Sequence, residues 1–319
     1  MSSADQGSPD EPRRPGSLVS LLGSGEEPSS SDLRADPLAS SEHSRHGDLA
    51  PPREDFDLGR ARAVCAEIAR LTLLDFTPGL LLLEAPLRLR AQALIAYTRT
   101  LFDFINDHGL AGEPLAQINR WQFALDQSLE EEPVGQPIFV CMAALNAPHP
   151  WRREVLDQLA SLARGRISHP PANTADLHRQ LKSLAAAGVS LLFGTDSTDR
   201  LEEIGAALFR AHSLACDSSE LALLRPDLTS PAAGGHRVVP PESLRRERTE
   251  LTRLLQVDRG DLADLPKKAR RAVLYACYAA RIILEPAEAS APQHSVTEHR
   301  ARIGAWKRLR LLLRARWRG

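Results

Sequence analysis

An all-α fold is what this sequence predicts, and three observations carry the prediction. From about residue 58 onward, apolar residues recur at spacings of three and four, and no stretch sustains the two-residue alternation of a strand. Ala, Leu and Arg dominate that region while β-branched residues are sparse, a composition that favours helix. Breaks cluster at Pro133–Pro137, Pro148–Pro150 and His169–Pro171, leaving helix-length intervals between them.

The elements follow in order. Residues 1–57 are predicted to be a disordered acidic tail: they are rich in Ser and Pro, have no aromatic before Phe56, and bury too little to offset chain entropy. The apolar stretch Leu18–Leu22 is too short for a secretory segment. Asp57 to Leu74 reads as the first helix, and Leu80–Leu83, flanked by Pro78, Gly79 and Glu84, as buried core. Pro86 suits the first turn of a long helix to about Asp107, because its missing N–H would have had no partner there. His108-Gly109 ends it. The next helix, 113–131, places Trp121, Leu125 and Leu129 on one face. Helices are predicted at 138–146, 151–164, 174–192 (capped by Asn173 or Thr174) and 199–223. Residues 225–241 read as a long loop, and two helices at 266–284 and 295–317 complete a single helical domain over 58–319.

Composition limits the function. The 40 Lys and Arg nearly balance the 41 Asp and Glu, and no reader motif occurs, so nucleic acid is not an expected partner. No run of 18 apolar residues exists to span a membrane. Cys65, Cys141, Cys216 and Cys277 are scattered without a CxxC pair, which suits free thiols in a reducing cytoplasm.

The segment from Phe76 through Leu80–Leu83, Pro86, Arg88, Arg90 and Ala93–Tyr97 to Arg99 has an apolar run, a proline, basic residues and an "ALIAYTR" ending. Downstream lie Gly205-Ala-Ala-Leu208 and Gly235-His-Arg237-Val-Val-Pro240, with Trp121, Pro137, Gly165, Leu177 and Ala187–Val189 between. In kind and order these residues resemble the squalene/phytoene synthases. The resemblance implies a helical bundle of the isoprenoid-synthase type around a central apolar cavity. It also implies head-to-head condensation of two prenyl diphosphates, with Mg2+ held by aspartates on two facing helices. Magnesium wants hard oxygen ligands, and it neutralises the leaving diphosphate.

The family's first aspartate motif, "RxxDDIxDE", falls on Arg99-Thr-Leu-Phe102-Asp103-Phe-Ile-Asn106-Asp107, so its ligand positions are Phe102 and Asn106. The second, "NILRDxxxD", falls on His212 to Glu220, with Ala215 at the arginine and Cys216 and Glu220 at the ligands. Phe offers no lone pair, Asn only a neutral oxygen, and Cys is soft. Phe102 and Phe209, on the inward face, would make the mouth more apolar. A shifted cluster of Asp103, Asp107, Asp217 and Glu220, turned by roughly 100° about each helix axis, could still hold Mg2+. The alternative for these acids is solvation or pairing with a nearby arginine. Arg99 and Arg237 match family positions that hold diphosphate, or else are buried and paired with an acid. His212 stands where an amide usually sits, as a core histidine or a general base.

Arg300 to Arg318 forms a basic amphipathic helix in which Ile303, Trp306, Leu309, Leu313 and Trp317 recur at helical spacing. It suits an anionic membrane surface, which would place the protein at the inner face of the membrane. Alternatively its apolar side packs on the bundle while its arginines pair with the acidic tail. Two functions are open at this point. One is a catalytically silent relative that binds a prenyl diphosphate, another isoprenoid lipid or a protein partner. The other is an active prenyl transferase using the shifted Mg2+ cluster.

Overall fold

The computed structural model describes residues 57–106, 113–130, 135–146, 150–214, 225, 228, 230–231, 237–238, 240–285 and 303–318. Among them run α1 (Leu58–Leu73), α2 (Thr77–Leu80), α3 (Ala85–Asn106), α4 (Pro114–Glu130), α5 (Pro137–Asn146), α6 (Arg153–Ser168), α7 (Thr174–Phe193) and α8 (Asp199–Ser213). A two-residue ladder follows, in which β1 (Ser230–Pro231) pairs antiparallel with β2 (Arg237–Val238). The remaining helices are α9 (Pro241–Leu254), α10 (Lys267–Leu284) and α11 (Ala305–Arg318). The fold is an all-α bundle, as the helical period predicts.

Helix starts are set by side-chain caps that satisfy otherwise unpaired amides. Asp57 accepts from the Gly59 amide at 3.2 Å, Asn173 from Asp176 at 2.9 Å, and Thr198 from Leu201 at 3.3 Å. Gly194 ends α7 with φ 68°, a left-handed conformation that costs glycine little. Packing then follows the apolar stripes. In α1, Ala61, Cys65, Ile68 and Ala69 are buried where the helix packs on α3 and α5. Where α7 meets α8, a Cβ added at Gly205 would stand 2.5 Å from the Ala185 Cβ, so only glycine permits that approach.

Two buried polar anchors hold helices that are remote in sequence. The Arg90 guanidinium lies 3.6 Å over the Trp151 ring and donates to the carbonyls of Leu191 (3.0 Å), Leu145 (3.3 Å) and Pro150 (3.4 Å). It thereby ties α3 to the C-terminal ends of α5 and α7. Asp75, 5% exposed, accepts from the Arg308 guanidinium and from the Ile303 amide at 3.2 Å, fastening α11 to the turn after α1.

Several elements differ from expectation. Residues 241–254, left out of any predicted helix, form α9. It is so rich in Arg and Glu that its apolar residues, Leu244, Leu251 and Leu254, make a thin stripe. The 151–164 helix runs on through Gly165 to Ser168. Leu80–Leu83 is not uniformly buried: Leu81 is 65% exposed, because these residues form a turn whose carbonyls serve the following amides. The second half of the helix expected over 199–223, and the start of that expected over 295–317, fall outside the described residues, as does the tail through residue 56. No described helix is long and apolar enough to cross a membrane.

Candidate functional site

The C-terminal half of α3 presents two faces. Tyr97, Leu101 and Phe104 turn into the core, where Trp121 of α4 stacks on Tyr97 (ring centroids 6.3 Å apart), meets Phe104 edge-on (5.5 Å) and touches Phe139 (4.4 Å). Phe102 turns the other way. With Leu162 and Arg166 of α6 and Leu177, Gln180, Leu181 and Leu184 of α7, it lines a small, partly open cleft with a free volume of about 10 Å3, room for about one water. Apolar atoms make almost the whole lining. Two polar groups interrupt it: the Arg166 guanidinium sits 5.5 Å over the Phe102 ring, and Gln180 Oε1 is buried without a hydrogen-bond partner. The pocket therefore offers an incoming molecule an apolar wall, one cation and one acceptor.

Asp103 lies beside Phe102 on the same helix and is 9% exposed. Its carboxylate meets Arg99 Nε at 2.8 Å, one turn back. The expected metal ligand and the expected diphosphate-binding arginine thus neutralise each other. Asp107, Cys216, Asp217 and Glu220 lie outside the described residues, as do the side chains of Asn106 and Arg237; only the Arg237 backbone is seen, in β2. Among the described residues no three His, Cys, Asp or Glu side chains come together as metal ligands. Of the ligand positions that the resemblance implies, the described ones do not fit Mg2+: Phe102 is a phenyl ring, and the neighbouring Asp103 is held by Arg99.

Phe209 corrects the expectation that it faces inward with Phe102. It is 43% exposed, because Ala207, Arg210 and Ala211 take the buried face of α8. His212 packs edge-on against Phe76, with ring centroids 5.6 Å apart.

A charged cluster beneath α8 was not expected from the sequence. Glu247 of α9, 3% exposed, accepts from Arg210 Nε at 2.8 Å and Nη2 at 2.7 Å, a bidentate pair, and from Arg225 Nη1 at 2.6 Å. Both arginines are 1% exposed. Arg210 Nη1 also reaches Glu250 at 3.1 Å and His178 Nδ1 at 3.2 Å. Burial would raise the Glu247 carboxyl, but the hydrogen bonds and charges of Arg210 and Arg225 outweigh it and hold the group below its usual range. His178 is held low by burial and then by the Arg210 charge, so Nδ1 is free of a proton and accepts from Arg210. Two guanidiniums face two carboxylates, which leaves no net charge for a diphosphate. The available signal was Arg210 standing among Ala206, Ala207 and Ala211 on an otherwise small, apolar face.

The fold is that of the squalene/phytoene synthases. A crystal structure of a dehydrosqualene synthase in complex with ligand superposes with a TM-score of 0.63 at 13% identity, covering 82% of this chain and 96% of that one. Squalene synthase HpnC from Alicyclobacillus acidocaldarius superposes with a TM-score of 0.52 at 17% identity, covering 71% of this chain and 92% of that one. No protein-family model matches the chain, and no curated protein does.

Proposed function

We propose that this protein is a squalene/phytoene synthase-like isoprenoid binder in which the magnesium-assisted condensation has been given up. The carrying observation is the first aspartate-motif position: Phe102 lines an apolar pocket there, and the neighbouring Asp103 is closed into an ion pair with Arg99. Ionising an allylic diphosphate requires preorganised charge at the leaving group, and removing one such stabiliser typically costs about a hundredfold or more in rate. A phenyl ring in that place stabilises nothing ionic. What it does provide is apolar wall: a prenyl chain would lie between Phe102, Leu162, Leu177, Leu181 and Leu184 once these side chains move apart, because the cleft as it stands has room for about one water. Arg166 and Gln180 would meet the polar end, so the reading includes prenyl diphosphates and isoprenoid lipids with an uncharged hydroxyl.

The test is diphosphate release from farnesyl or geranylgeranyl diphosphate with Mg2+ present. No release, together with binding of the isoprenoid, is expected. Magnesium-dependent release that disappears in Asp103→Ala would sink the reading in favour of an active transferase using the acids of residues 103, 107, 217 and 220.

A further inference from the structure

Helix α11 is held by one side only. Leu311 and Ala315 are buried, Arg308 pairs with Asp75, and Arg259 donates to the Trp317 carbonyl at 3.1 Å and also to that of Arg318. On the opposite side Trp306 is 65% exposed, Leu309 45%, Leu313 47% and Trp317 81%. At helical spacing these four occupy an arc of roughly 80°. Exposed cations border the arc: Lys307, Arg310 and Arg318 on one flank and Arg316 on the other, with Arg314 lying 4.6 Å over the Tyr278 ring. The helix contains no acid.

We propose that this outer face of α11 docks the protein on an anionic lipid bilayer. An apolar stripe capped by tryptophans at both ends and edged by arginines matches the layered chemistry of a bilayer surface. The aromatics would sit at headgroup level, the leucines about 5–10 Å into the acyl boundary, and the cations among lipid phosphates. A second copy of the chain is a poor match, because two such faces would oppose arginine to arginine with no carboxylate between them. The anchors to Asp75 and Arg259 fix the helix before it meets lipid, so docking need not order it. The inference is independent of what the Phe102 pocket binds, and its failure would leave that reading untouched.

Flotation of the full-length protein with vesicles tests it. Vesicles of phosphatidylcholine mixed with phosphatidylglycerol should carry the protein, added salt should release it, and vesicles of phosphatidylcholine alone should carry far less. Trp121 and Trp151 are buried, so a blue shift of tryptophan emission on adding anionic vesicles reports Trp306 and Trp317. Arg310→Glu should weaken binding at least about fivefold, the effect of losing one cation near such a surface. Trp306→Ala with Trp317→Ala should remove the blue shift while the far-ultraviolet spectrum keeps its helix content. The proposal is overturned if the full chain fails to float with anionic vesicles, the result expected if its own tail or a protein partner covers the face. Equal binding to neutral vesicles, or a blue shift that grows with protein concentration in the absence of lipid, would also overturn it.

Discussion

The end of α3 and the buried face of α8 both carry charged side chains, and the two regions hold them in opposite ways. On α3, Arg99 and Asp103 form a local ion pair beside an apolar wall headed by Phe102. On α8 the charge is buried, where Arg210 and Arg225 both pair with Glu247. The first arrangement leaves a small apolar cleft beside the ion pair. The second fixes α9 and residue 225 against α8. Charged residues in this bundle therefore divide into those beside a cleft and those that hold helices together, and deep burial with a buried partner identifies the second kind.

The sharpest way to break this comparison is Glu247→Ala. It would strand two buried guanidiniums, and removal of one partner from a buried ion pair costs about 3–5 kcal/mol. Denaturant unfolding should show a loss of that size, and a loss under about 1 kcal/mol would mean that the cluster is not structural. Next comes Gly205→Ala, which drives a methyl into the Ala185 Cβ and should cost about 1–3 kcal/mol as α7 and α8 separate.

Acid should act on the same cluster. Glu247 is depressed when folded, so its contribution is fully present above its ordinary value of 4.5 and is lost as pH falls through the lower folded value. His178 is also depressed, so folding excludes its proton, and stability begins to fall once pH drops below its ordinary 6.5. Unfolding followed across that range should show a shallow decline and then a steeper one. The wild-type decline below 4.5 should lessen in Glu247→Gln. The smallest effect belongs to Asp103→Asn, which keeps an oxygen beside Arg99 Nε and removes only the charge, so a loss of about 1 kcal/mol is expected.

Most of the fold was legible because helices announce themselves locally. The stripe of Ala61, Cys65 and Ile68, the proline at 86 and the cap at Asn173 each act within a turn or two of chain. The register from Phe76 to Arg99 likewise singled out Phe102 and Asp103 from the sequence alone. What stayed hidden depends on contacts remote in sequence. Glu247 is 37 residues from Arg210, and only the fold brings them together. Helix α9 went unread because Arg245, Arg246, Glu247, Arg248 and Glu250 mask its few leucines, and one of those charges, Glu247, is buried. Phe209 misled because its inward placement came from the resemblance, whereas Arg210 with its partners takes the inner face.

The central claim is that the isoprenoid pocket works without magnesium. Calorimetric titration of farnesol and farnesyl diphosphate into the purified protein, once with Mg2+ and once with a chelator, tests it most directly. We predict that each ligand's Kd is the same with and without metal, and that Phe102→Ala weakens binding by roughly tenfold through lost apolar contact. Binding of the diphosphate that needs Mg2+, with farnesol not bound at all, would contradict the account.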